Sequence, residues 1–327
     1  MDLTTHYMGF KLNSPIIAGS SGITNSVDQI AKLAANGAGA IVLKSIFEEQ
    51  IMLEANSLRP EYMSHTEADD YIDQYTRNHS LDEYLKLIEV AQKEVDVPVI
   101  ASVNCATSSE WVSFAKTIEE AGADGLELNV FILPGDRRRK GEEIEQTYFD
   151  IIREVKERVS IPIAVKMSSY FSGMANMIFN LSIRGIKGLV LFNRFYSPDV
   201  DLKKMEIHPT NVFSNPKENG LPLRWIGMMS GEARCDLAAS SGIHDGQTVI
   251  KNLLVGAKAA QVASVLYKKG PEYIRTMLDE IKAWMTDNKV EKIEDIIGKL
   301  SQKNIDNPVV YERSQFMKYY SEYKETI

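Results

Sequence analysis

The stretch NLLVGAKAAQVAS, residues 252–264, contains an amphipathic run, a glycine, small residues and then a short apolar run. A glycine after the last turn of a helix accepts the left-handed conformation that closes it, and a continuous apolar run is typical of a strand buried on both faces. The stretch therefore predicts a helix that ends near Gly256 and leads directly into a buried strand. The pattern occurs three more times, as LAANGAGAIVLK (33–44), IEEAGADGLELN (118–129) and NLSIRGIKGLVLFN (180–193).

The spacing of these four repeats indicates how many strand and helix units the chain contains. Their glycines, Gly37, Gly122, Gly185 and Gly256, lie 85, 63 and 71 residues apart. Each interval is close to two βα units of roughly 30 or more residues, so eight units would fill the 327 residues. Alternating strands and helices on this scale imply a parallel sheet with right-handed crossovers. We predict an α/β fold, a single-domain (β/α)8 TIM barrel over residues 1–327, with an open doubly wound sheet as the alternative.

The intervening sequence supplies the other elements. Four more strands are predicted at 15–20, 97–103, 161–166 and 236–240, and charged helices at 81–94 and 142–158. Two stretches without clear period, 48–79 and 197–218, are predicted as βα-loop insertions after the second and sixth strands. The C-terminal residues, with four tyrosines among charges after residue 308, are predicted as a helical extension at about 302–327.

Composition narrows the class of protein. The net charge of −8 and the pI near 5.3 argue against binding to nucleic acid or anionic lipid. Two cysteines, Cys105 and Cys235, are too few for a disulfide framework, and five scattered histidines suggest no metal site. Since no apolar stretch of about 18 or more residues occurs, we expect a soluble cytoplasmic protein that acts on a small molecule.

Polar or small residues at the carboxyl ends of barrel strands point into the active site. In strand order, that rule selects Gly19, Ser20 and Ser21, Lys44 and Ser45, Asn104, Asn129, Lys166, Asn193, Ser240 with Ser241 and Gly242, and Ala263 with Ser264. The last two groups suit a phosphate site built from backbone N–H groups, and Asp245 is a predicted N-cap for the helix that follows. A strand-end lysine can stabilise a reduced, anionic ring or, alternatively, form a Schiff base as in barrel aldolases.

Three weaker candidates lie in the same loops. Cys105 follows a strand-end asparagine and could act as a nucleophile or base, although a lone cysteine there more often serves packing. The run 137–140 could bind an acidic substrate or simply be solvated. His244, beside the predicted phosphate loop, could touch a cofactor or serve only as a polar residue at a helix start.

Seven segments occur in the order and at roughly the spacing of a known family. They are PIIAGSSGI (15–23), IVLKS (41–45), LELN (126–129), IAVKM (163–167), LFN (191–193), AASSGI (238–243) and LLVGAKAAQVASVLYKKGP (253–271). The set resembles the FMN-dependent dihydroorotate dehydrogenases, and is closest to their soluble class. The resemblance implies FMN at the barrel mouth, CH–CH oxidoreduction by hydride transfer between flavin N5 and a small planar anionic substrate such as dihydroorotate, a place in pyrimidine biosynthesis, and a homodimer.

The resemblance also assigns roles to particular residues. Gly19 and Ser20 would lie near the isoalloxazine, with Lys44 and Ser45 beneath it. Asn129 and Lys166 would hydrogen-bond the flavin, and both lysines would supply positive charge on its side. Asn193 would face the substrate, together with Arg194. The phosphate would be held by Ser241, Gly242, Ala263 and Ser264.

Several positions depart from the family pattern: Ser241 and Ala263 replace phosphate-loop glycines, the substrate-binding asparagine after strand two has no clear counterpart, and two further departures bear on catalysis. Ile132 occupies the position of the catalytic cysteine or serine, the base that removes a proton from dihydroorotate, and it cannot accept a proton. Arg194 replaces the serine that normally follows the strand-six asparagine. Because of these departures, two alternatives stand beside the oxidoreductase: a non-catalytic flavin-binding protein that has lost its base, and a flavin-free barrel lyase or aldolase using Lys44 or Lys166.

Overall fold

An N-terminal hairpin closes one end of the molecule. The computed structural model describes residues 1–47, 67–104, 108–195, 197–210 and 212–312. Strands β1 (Thr5–Tyr7) and β2 (Phe10–Leu12) pair antiparallel, and the side chain of Tyr7 is fully buried. The backbone N–H of Met8 donates to Asp236 Oδ2 over 2.9 Å. This bond attaches the hairpin to the start of a later strand, so the hairpin covers the amino-terminal end of the sheet.

The strands that follow the hairpin include all those of the predicted barrel. In chain order they are β3 (Ile16–Ala18), β4 (Ala40–Val42), β5 (Ile46–Phe47), β6 (Val99–Asn104), β7 (Gly125–Asn129), β8 (Ile163–Met167), β9 (Gly188–Leu191), β10 (Ser197–Asp201), β11 (Glu206–Thr210), β12 (Asp236–Ser240) and β13 (Ala259–Val262). Parallel pairing runs from β4 through β3, β13, β12, β9, β8 and β7 to β6, which pairs back with β4. The prediction of a (β/α)8 barrel is confirmed, and the open-sheet alternative is wrong.

Helices surround this barrel. They are α1 (Val27–Ala35), α2 (Glu67–Glu94), α3 (Ser108–Glu120), α4 (Gly141–Lys156), α5 (Met174–Ser182), α6 (Gly220–Met229), α7 (Gly246–Val255), α8 (Ser264–Lys269) and α9 (Tyr273–Asp287). The helix predicted at 81–94 forms the second half of α2, and the helix predicted at 142–158 corresponds to α4. Within the described ranges, no helix is long and apolar enough to cross a membrane.

The sequence signals at the helix ends act as predicted. Gly37, Gly122, Gly185 and Gly256 all have positive φ, between 81° and 116°, as expected for left-handed helix terminators. At the start of α7, Asp245 is the N-cap. Its Oδ1 accepts hydrogen bonds from the Thr248 backbone N–H at 2.7 Å and from Thr248 Oγ1 at 2.6 Å. The glycines determine where four helices end before the following strand, and Asp245 determines where α7 begins.

Replacing Asp245 with alanine is expected to lower the free energy of unfolding by about 1 to 2 kcal/mol, because the cap satisfies an otherwise unpaired N–H of the first turn. Urea unfolding followed by circular dichroism would measure the loss. Asp279→Ala is a matched control, since this exposed carboxylate forms a surface ion pair with Lys282 at 3.5 Å, and its loss should change stability by less than about 0.5 kcal/mol. Equal losses in both variants would contradict the capping role.

The barrel interior changes from apolar to polar along the strands. Ala164, Val190 and Ala259 lie inside the barrel with Tyr7 of the hairpin, at the amino-terminal end. Since side chains alternate between the two faces of a strand, the interior position two residues after Ala164 is Lys166. The same alternation places Glu127, Asn129, Ser240 and Gln261 inside. The carboxyl-terminal half of the interior is therefore polar.

The insertion predicted as a loop at 197–218 contains regular structure. Strands β10 and β11 form an antiparallel hairpin, in which Val200 pairs with Ile207 and Pro198 with Pro209, and a 3-10 helix follows at Pro216–Asn219. The prolines suggested a loop, but proline is tolerated on edge strands, and both strands of a two-stranded hairpin are edges. The insertion lies after the sixth barrel strand as predicted, and the hairpin within it was not predicted.

The insertion predicted after strand two and the helical extension predicted at the C-terminus are described only in part. Residues 48–66, the first part of the insertion after strand two, lie outside the described residues. Helix α2 begins at Glu67, so the insertion is shorter than the predicted 48–79. In the C-terminal extension, Pro308–Tyr311 forms a 3-10 helix, and residues 313–327 lie outside the described part of the chain.

Candidate active site

A cavity of about 150 Å³ opens at the carboxyl ends of β3, β8, β9, β12 and β13. It brings together most of the residues predicted from strand ends. The predicted residues that line it are Gly19, Ser20, Lys166, Asn193, Arg194, Ser240, Ser241, Gly242, Ala263 and Ser264. Ser214 and Gln261 also line the cavity, and neither was predicted.

One side of the cavity is built from backbone N–H groups. Among the described residues, no hydrogen bond is donated by the N–H groups of Gly242, Ile243, Ala263 or Ser264. Ser241 and Gly242 have φ of +79° and +72°. Unpaired donors in such a turn are suited to an anion. The residues present therefore fit a phosphate group, as the sequence predicted for this side.

A segment that we call the strap, residues 212–219, covers this side of the cavity. The Ser214 N–H donates to Ser264 Oγ, and Ser214 Oγ lies 3.0 Å from His244 Nε2. Burial, together with the charge of Lys268, holds the pKa of His244 below its usual range, so the ring is neutral near pH 7. His244 thus binds the strap, whereas a contact with a cofactor remains untested.

Arg194 binds the strap more extensively. Its Nε donates to Glu218 Oε2 at 2.6 Å, its Nη2 to Glu218 Oε1 at 3.3 Å, and its Nη1 to the carbonyl of Val212 at 3.0 Å. Two parallel bonds between a guanidinium and a carboxylate give strong geometric specificity. The charge of Arg194 is therefore compensated by Glu218, and the side chain acts as a latch between the end of β9 and the strap.

Cutting this latch should loosen the strap. In Arg194→Ala we expect trypsin to cleave after Lys217 about tenfold faster than in the wild-type chain, because charge-assisted hydrogen bonds contribute roughly 1.5 to 3 kcal/mol each and cleavage follows local opening. Limited proteolysis with mass spectrometry would measure the rate. Arg138→Ala is the control, since Arg138 pairs with Asp136 in an exposed loop. An unchanged rate in Arg194→Ala would show that the latch does not hold the strap.

Lys166 reaches the cavity from inside the barrel. Its Nζ donates to Gln261 Oε1 at 3.0 Å and lies 3.9 Å from Glu127 Oε1. Gln261 Nε2 in turn donates to Glu127 Oε2. Glu127 and Gln261 are 1% and 3% exposed, so their polar groups interact with each other and with Lys166 rather than with water.

Two asparagines and three aromatic rings lie beside these residues. Asn193 Nδ2 donates to Asn129 Oδ1. Two residues beyond each asparagine, Phe131 and Phe195 stack with their centroids 3.6 Å apart, and Tyr170 meets Phe195 edge to face at 4.9 Å. The loops after β7, β8 and β9 thus carry an aromatic wall above the paired amides.

Lys44 and Ser45 lie apart from the other predicted residues. Both line a second, larger cavity of about 600 Å³ beside α2. Ser45 remains linked to the first cavity, because its Oγ lies 3.0 Å from Ser20 Oγ and 2.7 Å from Ser102 Oγ. The structure therefore brings Ser45 to the edge of the first site, whereas Lys44 lines the second cavity.

Ile132, in the loop after β7, is half-buried and packs against the core. Cys105 lies outside the described residues. Burial and the neighbouring Asp236 raise the pKa of the Cys235 thiol to about 12, which leaves it unreactive. Arg137 and Lys140, at the ends of the basic run, are exposed. Within the described ranges, no group of three or more histidine, cysteine, aspartate or glutamate side chains could hold a metal ion.

Sequence reasoning missed Glu127, Gln261 and the strap. The signal for the first two was a polar residue inside an otherwise apolar strand, at an interior position of the period-2 alternation. No comparable signal marked Glu218 and Ser214. They lie in a long insertion, and only the fold of that insertion brings them to the site.

Comparisons with known proteins agree with this architecture. The family model for dihydroorotate dehydrogenase matches residues 2–285. Similar proteins include the catalytic subunits of dihydroorotate dehydrogenase B (NAD(+)) from Thermoplasma acidophilum, 24% identical over 91% of this chain and 98% of that protein, and from Methanocaldococcus jannaschii, 24% identical over 90% and 97%. The NAD-dependent dihydropyrimidine dehydrogenase subunit PreA of Escherichia coli is 23% identical over 93% and 78%. With its barrel, its strand-end site and a family match over most of its length, the chain belongs to the dihydroorotate dehydrogenase family and is an oxidoreductase.

Proposed function

We propose that this chain binds FMN in the strand-end cavity and transfers a hydride between flavin N5 and a small planar substrate. The observation that carries the proposal is that one cavity is lined by Lys166 and by four residues whose backbone N–H groups donate no hydrogen bond within the described part of the chain, Gly242, Ile243, Ala263 and Ser264. Unpaired N–H groups suit a phosphate, and the lysine suits a ring that gains negative charge on reduction. The relatives reported above are named as dehydrogenases, which favours redox chemistry over flavin-free lyase chemistry.

Each part of the cavity then has a role. The N–H groups of Gly242, Ala263 and Ser264, with Ser241, would hold the phosphate. Lys166 and Asn129 would hydrogen-bond the ring, beside Gly19 and Ser20. Ser45 would support this side through its contact with Ser20, and Lys44 would add positive charge from the neighbouring cavity. When bound, FMN supplies the hydride acceptor or donor, and the protein supplies binding, orientation and charge.

The substrate would lie against the loops after β7, β8 and β9. Asn193 offers an amide there, and the stacked Phe131 and Phe195 form a flat wall suited to a planar ring. Because Glu218 compensates the charge of Arg194, Arg194 is not free to pair with an anionic substrate. The exposed basic side chains of residues 137–140 would provide the positive charge that such a substrate needs. Ile132 supplies no proton acceptor, so proton exchange with the substrate would involve water or another group.

The cavity is small for a whole nucleotide. Ligand sites usually measure about 300–1,000 Å³, and the cavity measures about 150 Å³. Binding of the whole nucleotide therefore requires the strap to move away from Ser264 and Gly242. Breaking the Arg194–Glu218 latch should speed both uptake and release of the cofactor.

The first test is a visible absorption spectrum of the freshly purified protein, followed by identification of any released chromophore. We expect a flavin spectrum and FMN at about one molecule per chain. A colourless protein that also fails to take up added FMN would overturn the proposal. Because the readout is binding alone, the test does not depend on knowing the substrate.

A further inference from the structure

A carboxylate is buried directly behind the lysine of the cavity. Glu127 lies on β7 inside the barrel and is 1% exposed, whereas the side chain of Lys166 is 12% exposed. Glu127 Oε2 accepts a hydrogen bond from Gln261 Nε2. Within the described part of the chain, Glu127 Oε1 accepts no hydrogen bond, and its near charged neighbour is Lys166 Nζ at 3.9 Å.

This arrangement restricts the position of the ammonium group. A buried carboxylate needs a compensating charge or hydrogen bonds, and here the compensating charge is that of Lys166. Because Gln261 donates through Nε2 to Glu127, its Oε1 must face Lys166, and it accepts from Nζ at 3.0 Å. The three side chains form a triangle in which Lys166 and Gln261 line the cavity and Glu127 lies behind them, so Lys166 is held at the cavity wall.

We propose that Glu127 and Gln261 are positioning residues that set, through Lys166, how strongly the protein favours the reduced over the oxidised flavin. The inference rests on the proposed function, because it assumes FMN in this cavity. Lys166 favours the form with more negative charge, and the Glu127 carboxylate, 3.9 Å behind it, opposes that preference. Gln261 holds the two charges at this separation. Glu127 and Gln261 together therefore weaken the preference of Lys166 for the reduced flavin without abolishing it.

Two nearly isosteric variants of the full-length, FMN-loaded protein test the inference with opposite signs. Glu127→Gln removes the opposing charge, and we expect the ratio of dissociation constants, oxidised over reduced FMN, to rise about tenfold. That change equals a rise of about 30 mV in the midpoint potential of a two-electron couple. Gln261→Met removes both hydrogen bonds that hold the two charges apart, so Lys166 Nζ can approach the Glu127 carboxylate and the ratio should fall by a similar factor. Anaerobic titration with a reference dye measures both potentials.

Glu120→Gln serves as the control, since this exposed carboxylate forms a surface ion pair with Lys116 across one turn of α3 at 3.9 Å. It should leave the potential unchanged. A purely structural role would lower the melting temperature of Glu127→Gln and leave its potential equal to that of the control, and this result would overturn the inference. If Glu127→Gln does not fold, Gln261→Met carries the same test. Failure of the wild-type protein to bind FMN would instead reject the proposed function.

Discussion

Replacing Gly242 with alanine is expected to lower the affinity for FMN about 30- to 100-fold while the barrel stays folded. The φ of Gly242 is +72°, and a Cβ added there would lie 2.3 Å from the Asn219 backbone nitrogen and 3.0 Å from the Asn215 carbonyl oxygen. A left-handed conformation costs a residue other than glycine about 1–3 kcal/mol. The neighbouring atoms are backbone atoms of the strap, so the turn and the strap must shift relative to each other, and a shift of the turn displaces the N–H groups proposed to hold the phosphate.

Fluorescence titration of the apoprotein with FMN would measure this effect. Gly141→Ala is the matched control, because a Cβ at the start of α4 would meet no atom within 4 Å. Circular dichroism and the melting temperature of both variants would show whether the fold is kept. Wild-type affinity in a folded Gly242→Ala protein would mean that this turn does not bind the cofactor.

The sequence predicted the barrel well because its signals are local. The glycines that end four helices and the apolar runs after them need only neighbouring residues to act, and both appear in the structure at Gly37, Gly122, Gly185 and Gly256. The hairpin β10–β11 was missed for the opposite reason. Its stability depends on pairing between two short strands that carry prolines. The sequence of neither strand indicates which strand it pairs with.

In the candidate site, too, the features set by local sequence were predicted and those set by long-range contacts were not. Strand-end residues such as Lys166 and Ser264 were predicted to face a common cavity, and they do, because parallel strands all end at one rim of the barrel. The partners of these residues were not predicted. The bond from Lys166 to Gln261 joins positions 95 residues apart, and the latch from Arg194 to Glu218 depends on how an insertion folds back. Which polar groups meet is fixed by tertiary contacts.

Introducing a thiol at position 132 should create or greatly increase flavin reduction by dihydroorotate. The resemblance places the family's general base at Ile132, and a positioned base contributes about 10²- to 10⁴-fold to the rate of proton transfer. In the wild-type protein we therefore expect flavin reduction by dihydroorotate to be slower than in Ile132→Cys by a factor in that range. Anaerobic stopped-flow bleaching of the bound flavin measures both rates.

The pH dependence separates a base from a change in packing. A free thiol has a reference pKa near 8.5, so the rate for Ile132→Cys should rise with pH as the thiolate forms, whereas a packing effect would not follow thiol ionisation. Leu133→Cys is the matched control, since it places the same group one residue further along the loop, where the side chain is 61% exposed. If the wild-type flavin is already reduced by dihydroorotate at about 1 per second or faster, a rate typical of enzymes, then position 132 does not limit the reaction. In that case another group must accept the proton, and the isoleucine at position 132 would mean that a different residue of the barrel serves as the general base.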